Sequence, residues 1–370
     1  MNTSPSPQGA ARTDGSSVQI GALVPLTLPG WVEAGRHLLA GLELAVREVN
    51  EAGGIAGRPL ELVVRDTAAD PQRAAQAVDE LAGLGVAALA GEYHSIVARA
   101  AAARADALGL PFLCSSAVLD ALTEKPTKWV ARLAPAQSHG WQVYADSLLS
   151  AGHSRIAVAT EPSVYWASGA RILRDFLAQR GGTVVDLDMR ALDPEAVCDE
   201  LVDNRATALL LLVGNPEPAV SIVKSVRRDQ RLAEIMIGAP AGQPEFAGWV
   251  TLLGDCGTAI PFLRYLPERL SPLGARVETA LRERLAEAPS FVAFEGYDTI
   301  AVLADALRTH GVDRARTADF WPRVAVEGTR GLIQFSRTPG ISVWQWAWAP
   351  IQVVDRDPVE PDRFRVLRSG

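Results

Sequence analysis

The feature that most constrains the fold of this chain is a repeated alternation of short apolar runs with longer amphipathic segments. Runs such as Val86–Ala90 and Ala208–Val213 contain no polar side chain, which is typical of strands buried on both faces of a sheet. The segment from Gly35 to Asn50 instead repeats its apolar residues at helical spacing. Strands joined by crossover helices must be parallel. The alternation therefore predicts an α/β protein with two doubly wound parallel-sheet lobes.

The same alternation gives the expected elements. The predicted strands are Ile20–Pro25, Leu60–Arg65, Val86–Ala90, Pro111–Cys114, Ile156–Ala159, Val184–Leu187, Ala208–Val213, Ile235–Ile237, Gly331–Phe335 and Val343–Val354. The predicted helices are Gly35–Asn50, Pro71–Ala82, Ile96–Leu108, Gly169–Arg180, Pro194–Asn204, Pro218–Arg228, Gly274–Ala288 and Phe294–His310. Asp70 before Pro71 is typical of a helix start, and Gly53-Gly54 is typical of a helix end.

Composition narrows the function before any motif is considered. A length of 370 residues favours two or three domains at about 150 residues each. The chain has 36 Lys and Arg against 43 Asp and Glu, a net charge of −7. This charge argues against a nucleic-acid partner or an anionic membrane surface. No apolar run reaches the roughly 18 residues of a membrane span, so we expect no direct membrane insertion.

The N-terminus and the cysteines bear on where the protein works. Residues 1–17 are rich in Ser, Pro and Gly without an apolar core, which predicts a disordered leader and not an export signal. The chain as it stands is expected in the cytoplasm, or outside it if an export signal was removed. Cys114, Cys198 and Cys256 show no CxxC pair and no metal-ligand spacing with histidine, which fits a reducing compartment.

Polar loops follow four of the predicted strands at their carboxyl ends, where open parallel sheets bind ligands. The loops are Glu92–Ser95, Ser115–Ala117, Glu161–Ser168 and Gly214–Glu217. Hydroxyl groups and free N–H groups at helix starts suit an anion or a carbonyl group. Taken singly, the serines could be helix caps and the aromatic residues could be packing residues. Four such loops at the same sheet edge favour a binding site.

Enzyme motifs are absent from the sequence. There is no GxSxG, HExxH or GxxxxGK segment, and Gly83-Leu-Gly85 precedes its strand, which is the wrong order for holding a dinucleotide. The scattered histidines predict no metal site. We therefore expect no enzyme, no cofactor and no metal, and an enzymatic alternative rests only on Tyr93, His94 and Ser95. The run Trp344–Trp348 predicts a strand with its indole rings on one face, in the core or at the lobe junction.

Several motifs carry a resemblance to one family. They are Ile20–Thr27, Gly41–Ala45, Val49-Asn50, Ala52–Ile55, Gly57-Arg58, Val63–Asp66, Asp70-Pro71, Leu110-Pro111, Pro289-Ser290 and Gly296–Asp298. The chain resembles the type I periplasmic-binding proteins from about residue 18 to residue 355. The similar branch holds the leucine/isoleucine/valine-binding receptors and the amide- or urea-binding receptors.

The resemblance implies two lobes joined by a three-crossover hinge. The crossings are expected near Ala134–Gln137, Pro261–Tyr265 and Ser336–Ser342. This division gives an N-terminal lobe of residues 18–135 and 262–340, and a C-terminal lobe of residues 136–261 and 341–370.

The resemblance also implies a ligand-binding set. Ser95 falls on the family's carboxylate-binding serine, and Trp166 falls on the aromatic residue that closes over the ligand. Val118 stands where the family has a threonine. The complete predicted set is Trp31, Tyr93, His94, Ser95, Ser116, Ala117, Val118, Tyr165, Trp166 and Asn215.

Two departures from the family pattern affect the expected ligand and location. The acidic residue that pairs with a ligand ammonium group would lie near Ala239-Pro240, where no carboxylate stands. A buried ammonium group without a partner is costly, although Glu92 or Glu217 could substitute. The disulfide of exported relatives would join Ala69 and His94, so both of its cysteines are missing.

The implied function is that of a substrate-binding subunit of an ABC importer with a permease partner. The expected ligand is amino-acid-like, an amide or an aromatic acid, since Trp31, Tyr93 and Trp166 suit a partly apolar, planar molecule. The alternative is a cytoplasmic ligand sensor of the same fold that regulates a partner protein.

Overall fold

Eight strands form one sheet in the first lobe of the protein, for which a computed structural model describes residues 17–370. In sheet order they are β11 (Ala325–Gly328), β12 (Gly331–Ser336), β13 (Trp344–Trp346), β5 (Val130–Arg132), β4 (Phe112–Cys114), β3 (Ala88–Gly91), β1 (Val18–Val24) and β2 (Leu60–Asp66). All pairings from β13 to β2 are parallel. The helices of this lobe are α1 (Val32–Glu51), α2 (Pro71–Gly83), α3 (Ser95–Leu108), α9 (Pro272–Leu285), α10 (Phe291–His310) and α11 (Arg314–Ala318).

The side chains of β1 alternate between two helical layers, as a strand's period of two requires. Ile20, Ala22 and Val24 pack with α1 and α10, whereas Leu23 packs with α2 and α3. Sheet and helix layers therefore bury the strand on both faces, which explains its nearly continuous apolar sequence.

Two glycines let α1 and α10 approach each other closely. A Cβ atom on Gly41 would lie 1.9 Å from the carbonyl oxygen of Ala293, and one on Gly296 would lie 2.4 Å from the carbonyl oxygen of Leu38. Any larger residue at either position would push the two helices apart. Both glycines belong to the motifs that carry the family resemblance, so part of that sequence signal reflects helix packing.

The second lobe contains a four-stranded parallel sheet. Its strands, in sheet order, are β7 (Thr183–Asp188), β6 (Arg155–Thr160), β8 (Ala208–Leu212) and β9 (Met236–Gly238). Its helices are α4 (Gln137–Ser150), α5 (Val164–Ala178), α6 (Pro194–Asp203), α7 (Ala219–Arg228) and α8 (Ala247–Leu253). An antiparallel sheet of β10 (Phe262–Arg264), β14 (Gln352–Arg356) and β15 (Phe364–Ser369) lies beside α4. The predicted fold class, α/β with two parallel-sheet lobes, is confirmed.

The chain passes between the lobes three times, and strand pairing corrects the expected position of the third crossing. The expected division placed residues from 341 onwards in the C-terminal lobe. However, β13 pairs with β5 and β12 in the first sheet, so the chain leaves that lobe only after Trp346. The strand β10, assigned to the N-terminal lobe, pairs with β14 and thus lies with the second.

The tryptophan run also differs from its prediction. The predicted single strand Val343–Val354 is two strands, β13 and β14, in different sheets. Trp346 is buried and its Nε1 donates a hydrogen bond to Leu332 O. Trp348 lies beyond the strand with 85% of its surface exposed, so the three indole rings do not share one buried face.

Two further observations concern the predicted leader and the expected absence of a membrane span. The predicted leader lies outside the described residues except for Ser17. Within residues 17–370, no helix has the length and apolar character needed to span a membrane.

Candidate ligand-binding site

A cavity of about 450 Å³ lies between the two lobes, a volume within the range of about 300–1,000 Å³ that is usual for small-molecule sites. The carboxyl ends of β3 and β4 open into it from one lobe, and the start of α5 opens into it from the other. Its lining residues are Trp31, Ala69, Pro71, Tyr93, His94, Ser95, Ile96, Val97, Ser116, Val118, Ser163, Tyr165, Trp166, Ala241, Tyr265 and Phe291. None of these sixteen residues is Asp, Glu, Lys or Arg.

Eight of the ten predicted site residues line this one cavity. The two exceptions are Ala117, which is buried in the core beside α3, and Asn215. Asn215 lies in the loop after β8, with its Oδ1 buried and without a hydrogen-bond partner among the described residues. Whether the eight lining residues contact a ligand stays a prediction.

Sequence reasoning missed two large lining residues, Tyr265 and Phe291. Their rings are 5.1 Å apart and nearly perpendicular. Tyr265 stands at the end of the expected second crossing, and Phe291 directly follows the Pro289-Ser290 motif. Their proximity to predicted positions was the available signal, but only the tertiary fold brings both rings into the cavity.

Glu92 holds the loop that leads into α3. Its side chain is fully buried and accepts hydrogen bonds from Thr67 Oγ1 at 2.6 Å, Tyr93 N at 2.9 Å and His94 N at 3.0 Å. Glu217, the other carboxylate considered for a ligand ammonium group, is exposed and accepts a bond from Ser221 N at 3.3 Å. Neither carboxylate lines the cavity.

His94 positions the aromatic residue Trp31. The Trp31 backbone N–H donates to His94 Nε2 at 3.3 Å, so that nitrogen must be the unprotonated acceptor. The other ring nitrogen, Nδ1, then carries the proton and donates to Glu92 Oε1 at 3.3 Å. Both nitrogens are therefore engaged within the protein, and His94 presents only part of its ring to the cavity.

Ser95 connects the start of α3 to the loop after β4. It is the first residue of the helix and not its N-cap, which is His94. Its Oγ accepts hydrogen bonds from Val118 N at 3.2 Å and Leu119 N at 3.3 Å, so its O–H remains a donor. The first-turn N–H groups of a helix have no acceptor inside the helix and favour negative charge. The end of α3 that faces the cavity is thus suited to a carboxylate or a carbonyl oxygen.

Aromatic rings from both lobes form the remaining wall. Trp31 lies edge-on to Tyr93 at 5.6 Å and packs against Phe246 of the second lobe at 5.0 Å. Tyr165 and Trp166, at the start of α5, are 4.7 Å apart. Burial raises the pKa of Tyr93 and, likewise, the pKa of Tyr265 well above the usual value. Both phenols therefore stay neutral and can act as hydrogen-bond donors.

In the segment after β9, where the resemblance places the family's acidic residue near Ala239-Pro240, the residue that lines the cavity is Ala241. The nearest carboxylate along this segment is Glu245, which binds Arg264 Nε at 2.9 Å and accepts from Phe291 N at 3.0 Å. The latter bond joins the two lobes, as does the bond from Gly248 N to Glu33 Oε1 at 3.2 Å.

Metal and disulfide chemistry have no counterpart in the described part of the chain. No group of three His, Cys, Asp or Glu side chains in residues 17–370 is arranged to hold a metal ion. Cys114, Cys198 and Cys256 are all free thiols. Burial raises the pKa of Cys114 to about 12, which makes that thiol unreactive at neutral pH.

Known proteins resemble this chain in sequence and in fold. The Leu/Ile/Val-binding protein homolog 7 of Brucella abortus (strain 2308) is 27% identical over 214 residues, 53% of this chain and 53% of that protein. The chain thus spans about half the length of the curated relatives it matches.

Two solved structures share the fold. The branched-chain amino acid transporter substrate binding protein LivJ from Streptococcus pneumoniae, in complex with isoleucine, has a TM-score of 0.81 at 20% identity over 96% of this chain and 100% of that chain. A solute binding protein from R. palustris, in complex with benzoate, has a TM-score of 0.79 at 16% identity over 96% of each chain.

The family described as periplasmic binding protein matches residues 17–348, which confirms the resemblance drawn from the sequence. Because this match covers most of the chain, the protein belongs to the periplasmic binding protein family.

Proposed function

We propose that this chain is a non-catalytic substrate-binding component of an ABC importer of the branched-chain amino acid/amide type. It closes its two lobes over a small amino-acid-like, amide or aromatic-acid ligand. The observation that carries the proposal is the interlobe cavity, which combines aromatic walls from both lobes with the N-terminus of α3. Relatives named for Leu/Ile/Val binding and folds solved with isoleucine or benzoate support this ligand class.

The chemistry of the lining suggests how such a ligand is oriented. A carboxylate or carbonyl group would accept hydrogen bonds from the Ser95 and Ser116 hydroxyls and from the first turn of α3. An apolar body would then lie between Trp31 and Trp166, which come from opposite lobes. Since no carboxylate lines the cavity, an α-ammonium group would have no direct ionic partner there, so ligands without one should bind at least as well.

Closure follows from the division of contacts between the lobes. A ligand stabilises the closed state only through contacts that exist when both lobes touch it. The first lobe supplies the serine hydroxyls and the helix terminus, and the second supplies Tyr165 and Trp166. Binding and closure should therefore occur together.

The test is isothermal titration calorimetry with leucine, isoleucine, benzoate and benzamide, followed by mass spectrometry of the recovered ligand. We expect one molecule bound per chain and its release unchanged. A ligand at 100 times its Kd should also stabilise the fold by about 2.7 kcal/mol. Conversion of the ligand, or binding of none of the four, would contradict the proposal. Uptake of the labelled ligand by cells with and without the gene tests the importer role.

A further inference from the structure

A buried cluster of charges lies directly beneath the cavity, and the proposed binding mode does not use it. Glu295 and Asp298 project from α10, and Arg330 lies in the turn between β11 and β12; all three side chains are fully buried. Two carboxylates and one guanidinium group leave one negative charge uncompensated. An uncompensated charge in a protein interior is costly unless a proton or another cation balances it.

The arginine is bound mainly by Asp298. Arg330 Nε donates to Asp298 Oδ2 at 2.9 Å, and Asp298 Oδ1 also accepts from Thr329 N at 2.7 Å and Thr329 Oγ1 at 2.8 Å. Glu295 has only the longer contact of its Oε1 with Arg330 Nη1, at 3.3 Å. The excess negative charge therefore resides on Glu295, whose pKa burial raises to about 7.

One lining residue of the cavity connects it to Glu295. Ser116 lies near Glu295, and its hydroxyl group opposes the rise in the Glu295 pKa that burial causes. Ser116 Oγ and Glu295 Oε2 are both buried, and neither forms a hydrogen bond with any described residue. Ser116 itself lines the cavity, so this residue connects the cavity to the buried carboxyl group.

We infer that Glu295 is a positioning residue that decides whether Ser116 donates or accepts a hydrogen bond in the cavity, so that binding of a carboxylate ligand is coupled to uptake of one proton by Glu295. This inference rests on the proposed function. An ionised Glu295 accepts the Ser116 O–H and leaves only an acceptor oxygen for the ligand. A protonated Glu295 can donate to Ser116 Oγ, which frees the Ser116 O–H for the ligand carboxylate. The proton comes from solvent and adds to Oε2.

We do not assign the proton uptake to the other groups around Glu295. The charged groups that face it are Asp298 from its own helix and Arg330 from the β11–β12 turn. The Tyr93 and Tyr265 phenols also face it, and they stay neutral at physiological pH because their pKa values are raised. Among the lining residues of the cavity, His94 is the one with an imidazole side chain. The experiment must therefore separate Glu295 from His94.

Benzoate and benzamide are matched probes because they differ in charge and share a ring. If binding requires the protonated form of a group with a pKa near 7, the Kd for benzoate should rise about tenfold from pH 6 to pH 8. The Kd for benzamide should stay within about twofold. Calorimetry in two buffers of different ionisation enthalpy should show net proton uptake with benzoate.

Glu295→Gln keeps the side-chain volume and removes the titration. The benzoate Kd of this variant should be independent of pH. Glu124→Gln is the control, because Glu124 is 80% exposed and paired with Arg99; it should retain the full pH dependence. A wild-type protein that binds benzoate equally at pH 6 and pH 8 would overturn the inference and leave the proposed function intact. A pH dependence that persists in Glu295→Gln would assign the effect to a different group and would also overturn the inference.

Infrared titration of the free protein tests the protonation of Glu295 without any ligand. We expect the C=O band of a protonated carboxyl group to disappear between pH 6 and pH 8 in the wild type. The same band should be missing from Glu295→Gln. A wild type without this band would refute the inference, whereas failure of all four ligands to bind would refute the proposed function.

Discussion

Ser95→Ala should have two separable effects, because one side chain supports both the loop geometry and the proposed ligand contact. Ser95 Oγ accepts from Val118 N and Leu119 N at 3.2 and 3.3 Å. Alanine leaves both N–H groups unpaired, and a buried unpaired donor costs about 1–3 kcal/mol. Both bonds are long and lie beside a cavity that water can enter. We therefore expect the free energy of unfolding to fall by about 2 kcal/mol in total.

The second effect concerns the ligand. A hydrogen bond to a charged group contributes about 1.5–3 kcal/mol, and one to a neutral group contributes about 1 kcal/mol. Loss of the Ser95 O–H should therefore raise the Kd for benzoate about thirtyfold and the Kd for benzamide about fivefold. The difference between the two ligands is the diagnostic quantity, because a general loosening of the loop would weaken both equally.

The measurements are urea unfolding followed by tryptophan fluorescence, and calorimetric titration of each ligand. Ser163→Ala is the matched control, since its Oγ lies in the same cavity but accepts only from Trp166 N, at 3.0 Å, as the cap of α5. It should lose about 1 kcal/mol of stability and affect both ligands alike. Unchanged stability in Ser95→Ala, or equal weakening of benzoate and benzamide, would refute the reasoning.

Two further changes test the aromatic wall and the buried charges. Trp166→Ala should raise the Kd of any ligand more than about tenfold in calorimetry, because it removes the ring that the second lobe places on the ligand. The control Trp348→Ala, which removes an exposed indole, should leave the Kd unchanged. Equal effects of the two substitutions would contradict the proposed site. Arg330→Met should reduce the free energy of unfolding in urea by about 3–5 kcal/mol, since it leaves Glu295 and Asp298 without a cation; a loss below about 1 kcal/mol would show that the cluster is not electrostatically coupled. The raised Glu295 pKa also predicts how stability depends on pH, because the folded state binds this proton more tightly than the unfolded state does. The wild type should therefore be most stable relative to Glu295→Gln below pH 4.5 and lose that advantage as pH rises to about 7. Urea midpoints across this range measure it, and an advantage that grows with pH would contradict it.

Local patterns predicted most of the parallel strands and their crossover helices well. The predicted Leu60–Arg65 and Ala208–Val213 differ from β2 and β8 by one residue at one end. The Asp70 cap is also present, since its side chain accepts from Gln72 N and Arg73 N. Such features depend on hydrophobic period and capping, which neighbouring residues largely determine.

Elements that depend on distant partners were missed. The strand β5 has three residues and ends in Arg132, so it carries no apolar run. It forms because its neighbours β4 and β13 flank it in the sheet and because Arg132 is buried, with its guanidinium bonded to Val118 O, Leu119 O and Gln345. The third crossing was misplaced for a related reason, since the pairing that holds β13 in the first sheet joins residues far apart in the chain.

The sequence by itself determined the α/β class, the loops at the carboxyl ends of the strands and eight of the residues around the cavity. The alternation of apolar runs and amphipathic helices requires parallel strands, and such strands bring their following loops to one edge. Only the tertiary structure decided that His94 holds Trp31, that Tyr265 and Phe291 complete the wall, and that Glu295 lies beneath Ser116. These relations join residues that are far apart in the chain. Their energies come from burial and hydrogen bonding between side chains that no local pattern places together.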